Sequence, residues 1–358
     1  MTGDPATRAD GPTGPDGDAV APLIDEDVAV RTASLVAARR RTSAAEVAAL
    51  RAEVAADLPR IDAAARAWTE LGADLAPTTA TVVGRSGWVR ANLTAIRGTF
   101  EPLRERLEKR PGAARIMGAQ IGVLFGLLST KVLGQYILPL GGPGGGQLVI
   151  VGPNVLDLAD RHGPLATDVR RTILLHEVTH RLQFDGTPWL EGHLRGLVDR
   201  YLEHAEVDAS TLKDAAARLP DMIAEARASG SIQPLLGAVL TPEQQEVIDE
   251  AQGLMSLLEG HGNAAMYAAA PSDLIADPEA VREAIASRRN DLTTKVLTAV
   301  AGLEMKRRQY RDGEAFVREV IDLAGMDGVN HAFAAAANLP SVDEVADPAA
   351  WLDRVRAA

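Results

Sequence analysis

The segment TILLHEVTHRLQFDG (172–186) constrains this chain more than any other. It reads H-E-x-x-H, carried by His176, Glu177 and His180. On a helix, His176 and His180 stand one turn apart on one face. Two imidazoles so placed can grip one zinc ion, each nitrogen about 2.0–2.1 Å from it. Glu177 is rotated by about 100° around the helix. It falls outside that shell, where its carboxylate can take a proton from an attacking water. The cation lowers the pKa of that water and polarises a substrate carbonyl. The helix is well marked: Thr167 or Asp168 can cap its start and Asp185-Gly186 can end it. The bland alternative is two histidines satisfied by backbone or carboxylates on a half-buried face. A short strand expected upstream at Leu148–Val151, the helical setting and the lack of cysteine favour the metal.

With no cysteine in 358 residues, thiolate catalysis, disulfides, iron–sulfur clusters and cysteine-ligated zinc are excluded. Any zinc must take nitrogen and oxygen ligands. The formal charge of −12 argues against sequence-independent nucleic-acid binding. Residues 1–25 are rich in Gly, Pro, Asp and Thr and lack the apolar core of a secretory signal. They read as a disordered tail, and the expected compartment is the cytoplasm.

Residues 26–358 read as one mainly helical domain, with a small β component (α+β). Apolar residues recur at helical spacing through 27–68 and around Trp88, Val89, Asn92 and Leu93. Thr187-Pro188 opens a further helix with Trp189, Leu190, Leu194 and Leu197 on its apolar face. Thr241-Pro-Glu-Gln244 is a capping-box start for a long helix, and 339–355 holds two short capped ones. The glycines of 141–146 lack the Lys-Ser/Thr of a phosphate loop and read as a turn. The apolar run of 15 residues from Ile116 to Thr130 spaces Gly118, Gly122 and Gly126 by four. A membrane span needs about 20 residues. The run reads as a buried core helix packed closely on a neighbour, and no transmembrane segment is expected.

The third ligand is less determined. A metzincin would place Gly at 183 and His at 186, but Gln183 and Gly186 stand there. Thermolysin-like spacing calls for a glutamate near 199–200, where the chain has Asp199 and Arg200. Glu-Gly-His occurs twice, at Glu191–His193 and at Glu259–His261. Glu191 lies in the first turn after Pro188, away from the middle of the motif helix. Climbing back at about 1.5 Å per residue reaches the zinc level near His193. Glu259 sits deep inside its own helix. It ranks first, His193 second, and Glu191, Asp199 and His261 remain open.

At this point VLGQYILPL, LLHEVTHRLQF with PWLEGHL, LMSLLEGHGNAAM, MKRRQYRDGEAFV and LPSVDEVADPAAWLDRV appear in order over about 80–358. Together they resemble an actinobacterial zincin-like family of zinc-dependent metalloproteases associated with deazaflavin coenzyme biosynthesis. The resemblance implies a zincin-like metalloprotease fold, a Zn2+ cofactor and added weight for Glu259. Within MKRRQYRDG, Tyr310 lies one turn from Lys306; Tyr310 and His261 are the candidates for stabilising an oxyanion. The alternative for Tyr310 is a core-edge tyrosine.

The expected function is a zinc hydrolase acting on peptide bonds, with Glu177 as general base and a peptide or small molecule as substrate. The competing readings are a zincin-shaped binding or assembly protein with little turnover, and an amidase acting on a small coenzyme intermediate.

Overall fold

Four of the five residues of Gln147–Val151 (β3) are buried apolar side chains, so this strand must be covered on both faces. The computed structural model describes residues 23–37, 42–101, 104, 112–140, 145–203, 241–288 and 306–357, with backbone only at 286–288 and 306–312. In it β3 is the middle of a three-stranded sheet. Ala80–Val83 (β1) pairs with it in parallel, Ala80 opposite Leu148, and Gly134–Ile137 (β2) antiparallel, Gly134 opposite Ile150. Strand pleating then sorts the side chains. Leu148 and Ile150 enter one core with Ala44–Thr69 (α2) and Ala166–Asp185 (α6). Val149 and Val151 enter another with Glu26–Val36 (α1), Arg85–Ala95 (α3) and Ala113–Ser129 (α4). A third core gathers Leu190–Glu203 (α7), Pro242–Ala268 (α8), Lys306–Ala334 (α10), Val342–Val345 (α11) and Pro348–Ala357 (α12). Gly152–Arg161 (α5) follows β3 directly, and Pro278–Arg288 (α9) follows α8. The chain is mainly helical with a small β component, as expected.

Several local readings hold. Trp88, Val89, Asn92 and Leu93 are all buried on α3. Thr241 and Gln244 form the reciprocal capping box of α8, with Pro242 at its first turn, and Ser341 with Glu344 forms that of α11. Gly186 ends α6, and it must be glycine because a Cβ would run into the Leu182 carbonyl.

Two readings need correction. Neither Thr167 nor Asp168 caps α6, which begins at Ala166 after a 3-10 turn with no side-chain cap. Asp168 instead accepts the Ala276 N–H at 3.0 Å, tying the segment after α8 to α6. The glycine-spaced run is packed on one side only. A Cβ at Gly118 would hit the Asp25 carbonyl, and one at Gly122 would lie 2.5 Å from the Ala29 carbonyl. The opposite side of α4 exposes Ile116, Val123 and Leu124. No helix among the described residues is long and apolar enough to cross a membrane. Of the expected tail, residues 1–22 lie outside the described residues; Ile24 is buried and Asp25 caps α1.

Candidate metal centre

α6 is buried almost all round, with Ile173, Leu174, Leu175, Val178 and Leu182 each in contact with the sheet-side core. That leaves one seam, facing α8, for His176 and His180. Their Nε2 atoms stand 3.0 Å apart. Glu259, near the middle of α8, completes the group: Oε2 lies 3.6 Å from His176 Nε2 and Oε1 lies 3.9 Å from His180 Nε2. One ligand atom from each residue falls within 4.8 Å of the others.

The donor set fits zinc. Tetrahedral ligands at about 2.0–2.1 Å stand about 3.3–3.4 Å apart, close to these separations. The backbone is shaped around the rings. A Cβ at Gly262 would lie 3.0 Å from His176 Cε1 and Nδ1 and 3.3 Å from His180 Cε1, so any larger residue would make both rings give by a few tenths of an ångström. Three acceptor atoms meeting at this range call for a shared positive charge, either a proton or a divalent ion. Burial alone works against a charged His176, but the hydrogen bond and charge of Glu259, with the charge of Glu177, outweigh it and move its pKa up. Burial and the charge of His176 push His180 down to about 4.

Glu177 lies beside this group and outside it, as its rotation on the helix requires. It is buried, and burial, reinforced by the charge of Glu259, pushes its pKa up to about 7 against the pull of His176. Two residues of β2 hold it. The Tyr136 backbone N–H donates to its carboxylate, and a Cβ at Gly134 would stand 2.5 Å from Glu177 Cγ. Tyr136 donates its hydroxyl to Asp185 at the end of α6, which keeps β2 seated against the helix.

The other candidate ligands are engaged elsewhere. His193 Nε2 faces Glu250 at 3.4 Å and its ring meets Trp189 edge-on. Glu191 pairs with Arg195 at 2.7 Å, and Asp199 is exposed. His261 is fully buried, with its ring centroid 5.4 Å from those of both Trp68 and Phe333. It has no surface open to solvent, which weighs against the oxyanion role expected for it. The side chain of Tyr310 lies outside the described residues. Its helix, α10, crosses α8 beside the centre: a Cβ at Gly260 would run into the Gly313 carbonyl. Sequence reasoning missed Gly134, Gly262 and Gln183. Gln183, three residues after His180 and hence on its face of α6, was the one open to reading.

The fold and this His-His-Glu group define a zincin. The chain belongs to the zincin-like metallopeptidase family, whose model matches residues 24–352. Among solved structures it is similar to a protein from Chloroflexus aurantiacus described as a candidate hydrolase with a novel fold, at 27% identity and a TM-score of 0.67. That match covers 94% of this chain and 99% of the other. No curated protein matches it.

Proposed function

We propose that this protein is a zinc-dependent peptidase in which His176, His180 and Glu259 hold the metal and Glu177 is the general base. The convergence of those three ligand atoms beside a buried glutamate carries the reading. The bound cation supplies the positive charge that polarises the scissile carbonyl and acidifies the attacking water. Glu177 would take the water's proton and pass it to the departing amine. Tyr310 is the proposed oxyanion donor, supported by the crossing of its helix at Gly260. The run of β2 past Glu177, at the edge of the sheet among the described residues, supports an extended peptide as substrate, since an edge can accept another strand.

Metal content and hydrolysis of a peptide library test this for wild type, Glu177→Gln and Glu259→Ala. Stoichiometric zinc lost in Glu259→Ala, and cleavage lost in both variants, is the expected result. Equal cleavage by wild type and Glu177→Gln rejects it. A role linked to deazaflavin coenzyme metabolism is the second reading, supported by the segment resemblance. It predicts that a deletion strain loses the coenzyme and that Glu177→Gln fails to restore it; restoration by that variant would point instead to a binding or assembly role.

A further inference from the structure

Gln183 is fully buried one turn beyond His180, and its side chain meets three groups. Its Oε1 lies 2.8 Å from His180 Nδ1, while its Nε2 lies 3.0 Å from the Leu258 carbonyl oxygen and 3.0 Å from His261 Nδ1. The Leu258 carbonyl can only accept, so it orients the amide with nitrogen toward α8 and oxygen toward His180. An amide oxygen also only accepts, so His180 Nδ1 must carry a hydrogen. A neutral imidazole has one such hydrogen, which leaves Nε2 bare. That is the atom facing His176 and Glu259. The same reasoning assigns His261. Its Nδ1 faces a donor and accepts, so its hydrogen sits on Nε2, which has no hydrogen-bond partner among the described residues. A buried N–H without an acceptor is unfavourable for that ring by itself. The other tautomer would set an N–H against the Gln183 amide nitrogen, so the clamp keeps His261 as it is.

We infer that Gln183 is the positioning residue of the metal centre: clamped by Leu258 and His261, its amide oxygen holds His180 as the Nδ1–H tautomer, so that Nε2 presents its lone pair to a divalent cation. The inference rests on the assignment of His176, His180 and Glu259 as ligands. A neutral amide suits the place, because a carboxylate there would add a third negative group to a buried site already holding Glu177 and Glu259.

The test uses the full chain and two variants. Zinc affinity, measured by competition with a chelating indicator, should fall about 10–100-fold in Gln183→Met, the usual effect of removing a ligand's orienting partner. The Co2+ absorption spectrum should change with it. Gln183→Glu keeps an acceptor for His180 but loses the donor to Leu258 and His261 and adds a buried carboxylate, so it should destabilise the metal-free fold while zinc affinity falls less than in Gln183→Met. In metal-free wild type, selectively 15N-labelled histidine should show His180 protonated at Nδ1, a readout that needs no variant to fold. Finding His180 protonated at Nε2, or equal zinc affinity in a folded Gln183→Met, overturns the inference while leaving the ligands in place. A wild type that binds no zinc overturns the ligand assignment and this inference with it.

Discussion

Glu177→Gln should make the metal-free protein more stable at pH 8 and should remove the hydrolytic activity of the zinc-loaded protein. Glu177 is 6% exposed, and burial pushes its pKa from 4.5 to about 7. At about 1.36 kcal/mol per unit, ionising it in the folded state costs about 3 kcal/mol. Between those two values the folded protein holds a proton that the unfolded chain has released. Stability therefore falls as pH rises through this window; the full penalty is present above 7 and none of it below 4.5. Glutamine keeps the shape and cannot ionise. The stability difference between variant and wild type should thus be near zero at pH 4.5 and about 3 kcal/mol in favour of the variant at pH 8. Groups that do not feel Glu177 cancel between the two proteins; His176, whose pKa the charge of Glu177 helps to raise, is the one that shifts with the substitution. Urea unfolding in the presence of a chelator, at several pH values, measures the difference directly. Added zinc should shrink it, because a nearby cation favours the ionised carboxylate. Loss of the general base should lower kcat/KM by about 10²–10⁴-fold. A difference that does not change with pH, or a variant no more stable than wild type at pH 8, refutes the reasoning: the carboxylate would then be solvated and unstrained.

Three further outcomes follow from the same geometry. Gly262→Ala should weaken zinc binding by pushing the His176 and His180 rings a few tenths of an ångström, while the metal-free fold gains up to about 1 kcal/mol from better helix propensity; isothermal titration and urea unfolding separate the two effects. Burial, with the charge of His180, holds His261 down at about 3, so between the unfolded value of 6.5 and that point the unfolded chain takes up a proton that the folded one refuses. Stability then falls as pH drops below 6.5, and His261→Phe should flatten that acid limb by one proton, about 1.4 kcal/mol per pH unit, in chelator-treated protein. Gly122→Ala should destabilise by about 1–3 kcal/mol, read by thermal unfolding, because its Cβ would lie 2.5 Å from the Ala29 carbonyl and force α1 off α4.

What could be read from the sequence was what a single segment specifies. The capping box at Thr241, the two short helices of 339–355, the end of α6 at Gly186 and the rotation of Glu177 away from the two histidines are local, and the structure has them. Two of three strands were not legible. Ala80–Val83 and Gly134–Ile137 are four residues each, too short to show a period, and β2 opens on a glycine that sequence habit counts against a strand. That glycine is there for Glu177, 43 positions away, and nothing near 134 in the chain announces it. The capping role expected of Asp168 failed for the same reason, since its carboxylate serves the backbone of Ala276. Gln183 had been read only as the residue that excludes a metzincin. Its two partners on α8 are 75 and 78 positions away.

The two Glu-Gly-His triplets show why composition of a motif is not enough. In the first, Glu191 is taken by Arg195 one turn along α7 and His193 faces Glu250, so both polar groups are spent within reach of the surface. In the second, a following glycine makes the run Glu-Gly-His-Gly, and four consecutive helical residues point about 100° apart. Each direction meets a different neighbour. Glu259 faces the two histidines, Gly260 admits the Gly313 backbone of α10, His261 reaches Gln183 on α6, and Gly262 makes room for the imidazole rings. One turn of α8 therefore sets a proposed ligand, the orientation of a second proposed ligand's partner and the approach of two helices at once. A substitution at any of the four positions should disturb metal binding, including His261 and Gly260, which contribute no ligand atom. The cost should be largest where backbone meets backbone, at Gly260, because a carbonyl of a packed helix cannot rotate aside as an imidazole can.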